Sequence, residues 1–464
     1  MKILASNFNL SGGYNTSVNP FLNKPSECRD ALGCDFSEIG TLARFPGYST
    51  YGDDLGSTDI LGLYDFHTSA GLQKWLAVFN TVLYSDESGT WTSRLTGLTA
   101  NKQAEFATHL DTCIMVNGTD TVKKSTDGIT WSALGGTPPT QAKYVVTFNN
   151  SVYVLNYASN TSRMAWSADG TIETWDYGAS GTQFQDVTTN IGIGDVITGA
   201  AVNNNSLLVF KNYSTWKWDT FSLVTLNSNV GCRAPRSIAT LDDWTFWLSH
   251  KGVMATNGGK PFRISKQVND FIDGMSDITT PVGWVEENFY YLFIGTSNGV
   301  TNCLLIYDYD SNCWSYKSMG DTVKVAAILT TSGNVRDAYF GNSSGQVYKF
   351  RTGNNDNTVA IPFKWTSMQY TSNAPQLLKD YKYLYVYLER TAKPGIDVFY
   401  SVDFDDFKPL GTAHKTVSEF VFPSGISGNS IRIQFAQNST TDQQNIYGFV
   451  CLGDIEAGRL QDVE

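Results

Sequence analysis

The side chains that could do chemistry are few and stand apart. The four histidines, His67, His109, His250 and His414, show no metal-ligand spacing and read as surface or turn residues. The seven cysteines, Cys28, Cys34, Cys113, Cys232, Cys303, Cys313 and Cys451, are odd in number, scattered, and form no Cys-x-x-Cys. Nothing near Cys28 and Cys34 completes a zinc set, so the expectation is reduced, partly buried thiols made in a cytoplasm. The acidic groups Asp242-Asp243, Asp308/Asp310 and Asp403/Asp405/Asp406 fall at predicted hairpin turns, where turn duty outweighs acid–base catalysis. Asp308-Tyr309-Asp310-Ser311-Asn312 has the look of a weak calcium loop but lacks the Gly and distal Glu of an EF-hand. No Gly-rich phosphate loop and no nucleophile elbow occurs. The expectation is a protein with no catalytic, cofactor or metal site.

One short pattern does recur. Ser85-Asp86-Glu87-Ser88-Gly89-Thr90-Trp91, Ser125-Thr126-Asp127-Gly128-Ile129-Thr130-Trp131, Ser167-Ala168-Asp169-Gly170 leading to Thr174-Trp175, and Tyr213-Ser214-Thr215-Trp216 share a shape. Asp-Gly and Ser-Gly supply a tight turn, because Gly accepts positive φ and Asp bonds its own backbone. The Trp that follows covers the turn. Asp86, Asp127 and Asp169, with Trp91, Trp131, Trp175, Trp216 and the later Trp314, are therefore read as structural turn residues. The pattern looks like the Asp-boxes of sialidases and other propellers, which lie away from sialidase active sites. A sialidase also needs three arginines on its carboxylate substrate and a tyrosine nucleophile with its glutamate. Only 12 arginines are present, and Phe262-Arg263-Ile264-Ser265 follows the repeats where a sialidase motif would precede them. An enzyme is not expected.

The elements that carry these turns follow from their spacing. The four tryptophans stand 40, 44 and 41 residues apart, the period of β-propeller blades. Short strand runs precede each turn, such as Lys74-Trp75-Leu76-Ala77-Val78-Phe79 and Cys113-Ile114-Met115-Val116. Later units drift but persist: Trp244 to Leu248, Phe289 to Ile294, Leu304 to Trp314, and Ala338 to Tyr348. Helical periodicity is nearly absent, with one short helix expected at Val268-Asn269-Asp270-Phe271-Ile272. After about residue 355 the period fails. Lys382-Tyr383-Leu384-Tyr385-Val386-Tyr387-Leu388 alternates with the tyrosines on one face, and more short strands follow without helices, the pattern of a β-sandwich. The expected architecture is all-β: an N-terminal arm with closing or platform strands over 1–54, a six- or seven-bladed propeller over 55–355, and a sandwich, or platform, domain over 356–464.

Composition agrees with this and narrows the function. The chain has 464 residues, 13% aromatics and 41 glycines, and only 17% charged residues. Its net charge of -11 disfavours general nucleic-acid gripping, which needs basic surface for the phosphates. Exposed tryptophans that stack on sugars would make it a glycan- or receptor-binding propeller.

Several segments together resemble a virion family. Gly12-Gly13-Tyr14-Asn15-Thr16, Glu27-Cys28 and Gly40-Thr41-Leu42-Ala43-Arg44-Phe45-Pro46-Gly47-Tyr48 are similar to the opening of phage tail hub (nozzle) proteins. These are also described as packaged-DNA-stabilisation or tail tubular B-like proteins of short-tailed phages. Gly231-Cys232-Arg233-Ala234-Pro235-Arg236-Ser237, Gly258-Gly259-Lys260-Pro261-Phe262-Arg263-Ile264-Ser265, Leu305-Ile306-Tyr307-Asp308 and Phe340-Gly341-Asn342-Ser343-Ser344-Gly345 continue in the family's order. The resemblance spans about residues 10–350. It implies a ring, of six copies, in the virion tail, assembled in the host cytoplasm. The ring would sit below the portal and adaptor and dock tail fibres, spikes or a needle. Packaged DNA would pass through without specific binding, a role that suits an acidic wall. Arg44, Phe45, Pro46 and Tyr48 become interface candidates, docking on the C-terminal sandwich to form a platform or closing the propeller.

Overall fold

The computed structural model describes residues 1–158, 160–178, 180–188, 195–331, 333–389, 393–440 and 445–456. Antiparallel strands dominate, and the sole helices among these residues are Asn269–Asp273 and the 3-10 turn Pro235–Ser237. The first unit of the propeller is a four-stranded meander, Ile60–His67, Gln73–Phe79, Val82–Glu87 and Thr90–Leu95. Further meanders begin with inner strands Glu105–His109, Tyr144–Phe148, Ile197–Asn203, Ala239–Leu241, Val282–Glu286 and Val325–Thr330. Each inner strand neighbours the next, and the last lies against the first, so the inner strands close a ring. The chain is an all-β protein built on a β-propeller.

Aromatic and aliphatic side chains fill the wedges between neighbouring sheets. Between first and last units, Trp75, Trp91 and Tyr339 pack with Ile60 and Val347. Between the third and fourth, Tyr153 and Leu155 meet Trp216 and Trp218. These large flat side chains span the gap that splayed sheets leave toward the rim.

The last unit, Val325–Thr330, Arg336–Gly341 and Val347–Lys349, has no fourth strand of its own. Ser49–Tyr51, from near the N-terminus, supplies it in the register Val347↔Tyr51 and Lys349↔Ser49. That closure joins the two ends of the propeller and leaves no unpaired edge at the seam.

The C-terminal region forms two packed sheets. One holds Lys2–Asn7, Ile446–Ile455, Lys379–Leu388 and Val417–Val421, with Ser427–Gly428 beside Lys379 and Asp380. The facing sheet holds Cys28–Leu32, Val359–Ser367, Ile431–Ser439, Ile396–Val402 and Lys408–Ala413. Leu384, Val386, Phe449 and Cys451 from the first meet Trp365, Phe435, Val398 and Ile433 from the second in one apolar core. Cys28–Leu32 also runs parallel to the propeller strand Cys313–Ser318, at Leu32↔Tyr316. A single ten-stranded sheet therefore crosses from the propeller to the C-terminal region. Residues 1–54 supply the edge strand Lys2–Asn7 of the first C-terminal sheet, the strand Cys28–Leu32 between the halves, and the propeller closure Ser49–Tyr51.

Candidate functional site

The segment Arg44 to Tyr48 occupies the joint between the two halves. Arg44 donates to the carbonyls of Ser439 (2.6 Å) in the sandwich and Asn354 (3.0 Å) in the linker. Phe45 and Tyr48 are each only 1% exposed. Tyr48 donates to Asp321 at 3.0 Å, and its ring meets Phe340 and Tyr348 at 5.0 Å. Lys317 projects between these rings and is itself fully buried. Its Nζ donates to Asp356 at 2.6 Å and to the Pro46 carbonyl at 2.9 Å. The interface these residues make is internal to the chain: Phe45 and Tyr48 are out of reach of any other molecule, because they fill the core of the joint.

The recurrent turns are built for rigidity. Asp127 accepts from the N–H groups of Thr130 (2.7 Å) and Ile129 (2.8 Å) and from the Ser125 hydroxyl (2.9 Å). Partial burial alone would raise its pKa, but these donors outweigh it and hold the carboxyl at about 2. Asp86 accepts from the Gly89 N–H (2.8 Å) and the Tyr51 hydroxyl (2.9 Å), tying the first turn to the closing strand. Asp169 accepts from Asn150 at 2.7 Å. Trp91 covers its turn with 7% exposure, Trp131 and Trp175 donate to carbonyls within their own turns, and Trp314 is buried and donates to Ile264 at 3.0 Å. Trp216 departs from the pattern. It lies on the third strand of its unit, Thr215–Trp218, after the turn between second and third strands. The 41-residue spacing persists there while the position within the unit shifts by one strand.

Asp127→Ala is expected to cost about 1 kcal/mol near neutral pH, the turn hydrogen bonds it accepts being weakened by solvent screening at this partly exposed site. Since the folded value lies below the ordinary one, this contribution is present above about pH 4 and is lost as pH falls toward 2. Urea unfolding of wild type and variant at pH 7 and pH 2.5 checks it; an equal gap at both values would contradict it.

The other candidate groups are dispersed. His67 pairs with Asp65 at 2.7 Å, and His109, His250 and His414 lie on separate units. Asp308 accepts from the Ser311 hydroxyl at 2.6 Å, and Asp403 from the N–H of Ser430 at 2.8 Å, as turn residues do. All seven cysteines are buried and unpaired. Among the described residues no group of three His, Cys, Asp or Glu is placed to hold a metal. Arg263 is exposed on an outer strand, not on the propeller axis.

What the tertiary fold assembles, and the sequence did not announce, is the central channel. A cavity of about 220 Å³ on the axis is walled by the inner strands and includes Tyr64, Glu105, Tyr144, Arg236 and Gly283. It runs into a mouth of about 420 Å³ on the face where loops enter the inner strands, adding Lys102, Lys143, Asn117 and Thr279. Arg236 donates to the Lys324 carbonyl and, with the Gln103 amide oriented to serve both neighbours, to Gln103 at 3.3 Å. Tyr144 is 8% exposed and its hydroxyl finds no partner. Enclosure in the channel raises the Glu105 carboxyl to about 7, against the opposing pull of Arg236 and Lys143. No cation lies within 4 Å of that carboxylate among the described residues.

The Glu105 shift has a stability consequence. Its folded pKa lies above the ordinary 4.5, so its contribution is full below about pH 4.5 and fades as pH rises through about 7. Glu105→Gln is expected to flatten that decline and raise stability at pH 8 by about 3 kcal/mol. Unfolding midpoints from pH 5 to 8 for both proteins test this, and parallel curves would refute it.

Two apolar patches face solvent. The outer face of the sandwich sheet that begins with Lys2–Asn7 carries Ile3, Leu452, Tyr383 and Val421 in one cross-strand row, and Val450 and Tyr385 in the next. Tyr387 and Val417 follow, with Phe8 packed on Tyr387 at 5.1 Å. Ser6 and Glu419 are the polar members of these rows. Ile3 is 63% exposed and Val421 65%. A second, smaller patch lies on one hairpin of the propeller's fourth unit, where Phe221 is 93% exposed and Val224, three residues on, 51%. The tryptophans are buried or half-buried, with Trp131, Trp166, Trp175 and Trp244 among the half-buried ones.

No family model and no curated protein matches the chain. Among solved structures it is similar to YCF48 from Cyanidioschyzon merolae, at 11% identity over 66% of this chain and 98% of that one, TM-score 0.44. A YCF48 structure bound to D1 peptide matches at 13% identity over 66% and 97%, TM-score 0.42. BamB from Moraxella catarrhalis matches at 13% over 75% and 96%, TM-score 0.38.

Proposed function

We propose that this protein is a structural ring subunit of a short-tailed phage tail, a hub or nozzle component, built as a seven-bladed propeller welded to a C-terminal sandwich. The observation that carries the reading is the pair of separate apolar patches on an acidic molecule. The solvent face of an antiparallel sheet is ordinarily polar, and a contiguous apolar face marks an interaction surface. Copies bearing a net charge of -11 repel one another, so they approach most favourably on faces nearly free of charge. Two different patches, Tyr383–Tyr385–Tyr387 with Val421 on the sandwich and Phe221 with Val224 on the propeller, suit a head-to-tail contact. Such contacts close into rings when the rotation allows. The ordered sequence resemblance supports the tail assignment, with an adaptor above, fibres, spikes or a needle attached, and DNA passing through unheld.

Native mass spectrometry and negative-stain microscopy of the purified protein, alone and with its neighbouring virion proteins, test the reading. Rings with a DNA-wide hole are expected, and Val421→Asp with Tyr385→Glu should return them to monomers. Monomers under every condition would overturn it.

A further inference from the structure

We propose that the mouth of the propeller channel, lined by Lys102, Lys143 and Arg236, is a binding site for a small carboxylate- or phosphate-bearing molecule. The inference is independent of ring formation. Three cations gather here on a protein of net charge -11, around a cavity of about 420 Å³, within the size range of small-ligand sites. A surface that merely solvates charge would pair or disperse them. Instead neither lysine ammonium forms an ion pair within 4 Å among the described residues. Arg236 is held by the backbone of Lys324 and by Gln103, which fixes its guanidinium at the channel wall and leaves donors of its fork open. The Lys143 ammonium stands 5.5 Å over the Tyr144 ring.

An oxyanion meets all of these groups at once. It accepts from the guanidinium, and it neutralises the lysines. Asn117 and Thr279 at the rim and Gln103 within supply polar contacts for the rest of a small molecule.

Glu105 is the opposing element. It lines both the axis and the mouth. The groups facing it are Arg236, Lys143 and Tyr144, with Lys102 beside Lys143 and Asp59 beyond Arg236. Ionised, it repels an incoming anion; neutral, it offers a hydrogen-bond donor.

Isothermal titration of the full chain with inorganic phosphate and, separately, with citrate at constant ionic strength tests the proposal. The expected result is saturable one-to-one binding of at least one probe at pH 6. Phosphate alone identifies a phosphate-bearing ligand, and citrate alone a carboxylate-bearing one. Lys143→Gln should weaken binding about tenfold, the size of one hydrogen bond to a charged group. Its circular dichroism should be unchanged, since the side chain is exposed. At pH 8, Glu105→Gln should tighten binding about tenfold by removing a like charge. No saturation by either probe up to about 10 mM, or identical affinity in wild type and in Lys102→Gln with Lys143→Gln, would overturn it.

Discussion

Lys317→Met is expected to destabilise the protein by about 3–5 kcal/mol, the cost of stranding a buried charge. Lys317 and Asp356 are 0% and 3% exposed, with Nζ and Oδ1 2.6 Å apart. Burial pushes the ammonium pKa down and the carboxyl pKa up, and each charge partly offsets the other's desolvation. The Phe45 and Tyr48 rings stand 5.5 and 5.6 Å from the ammonium, so no water can replace the lost partner. Removing the lysine leaves the Asp356 carboxylate and the Pro46 carbonyl without their donor. Lys317→Met combined with Asp356→Leu should recover most of the loss, because an apolar pair of similar volume needs no solvation. Urea unfolding followed by tryptophan fluorescence reads both. A single-variant loss under about 1 kcal/mol, the worth of a surface pair, would show that the pair does not hold the joint.

Gly47→Ala should be nearly as damaging, about 3 kcal/mol or more, a size seen when a core is overpacked against unyielding neighbours. A Cβ at Gly47 would fall 1.8 Å from the Asn355 carbonyl oxygen and 2.3 Å from its carbon. Both are backbone atoms. Asn355 is held in place by the ladder to Ala360 and by the N–H of Tyr48 donating to its carbonyl at 3.1 Å. The segment must therefore withdraw, and it takes Phe45 and Tyr48 out of the joint core with it. Limited proteolysis should then cut first in the linker near residues 351–358, and the unfolding transition should separate into two. A single, unshifted transition would contradict this.

The two variants act on different physics, desolvation and sterics, at one place. That place is where three remote stretches of chain meet: 44–48, 317–321 and 354–357. Its stability sets whether the propeller and the C-terminal sheets behave as one body.

Much of the fold was legible before any coordinates. The Asp-Gly turns with a following Trp mark hairpins because few residues besides Gly accept positive φ there, as Gly128 (φ 70°) and Gly170 (φ 66°) do. Their recurrence gives the period, and the strict alternation Tyr383–Leu388 gives the inward face of Leu384, Val386 and Leu388. The burial of Phe45 and Tyr48 was not legible, since a short run with Pro and Gly reads equally as a surface loop. The channel mouth was not legible either. Arg236 stood out only within a resembling segment, and Lys102, Glu105, Lys143 and Tyr144 gave no signal, because their common position depends on loops from separate blades.

Local patterning thus determined the all-β character, the period of the hairpins and which side chains of a strand face inward, because these depend on turn chemistry and a two-residue repeat. Long-range pairing decided the rest. The strands Lys2–Asn7, Cys28–Leu32 and Ser49–Tyr51 join the first C-terminal sheet, the bridging sheet and the propeller seam respectively, and no periodicity encodes partners hundreds of residues away. Which edges needed pairing, and which cations would meet on the axis, were fixed only when the ring closed.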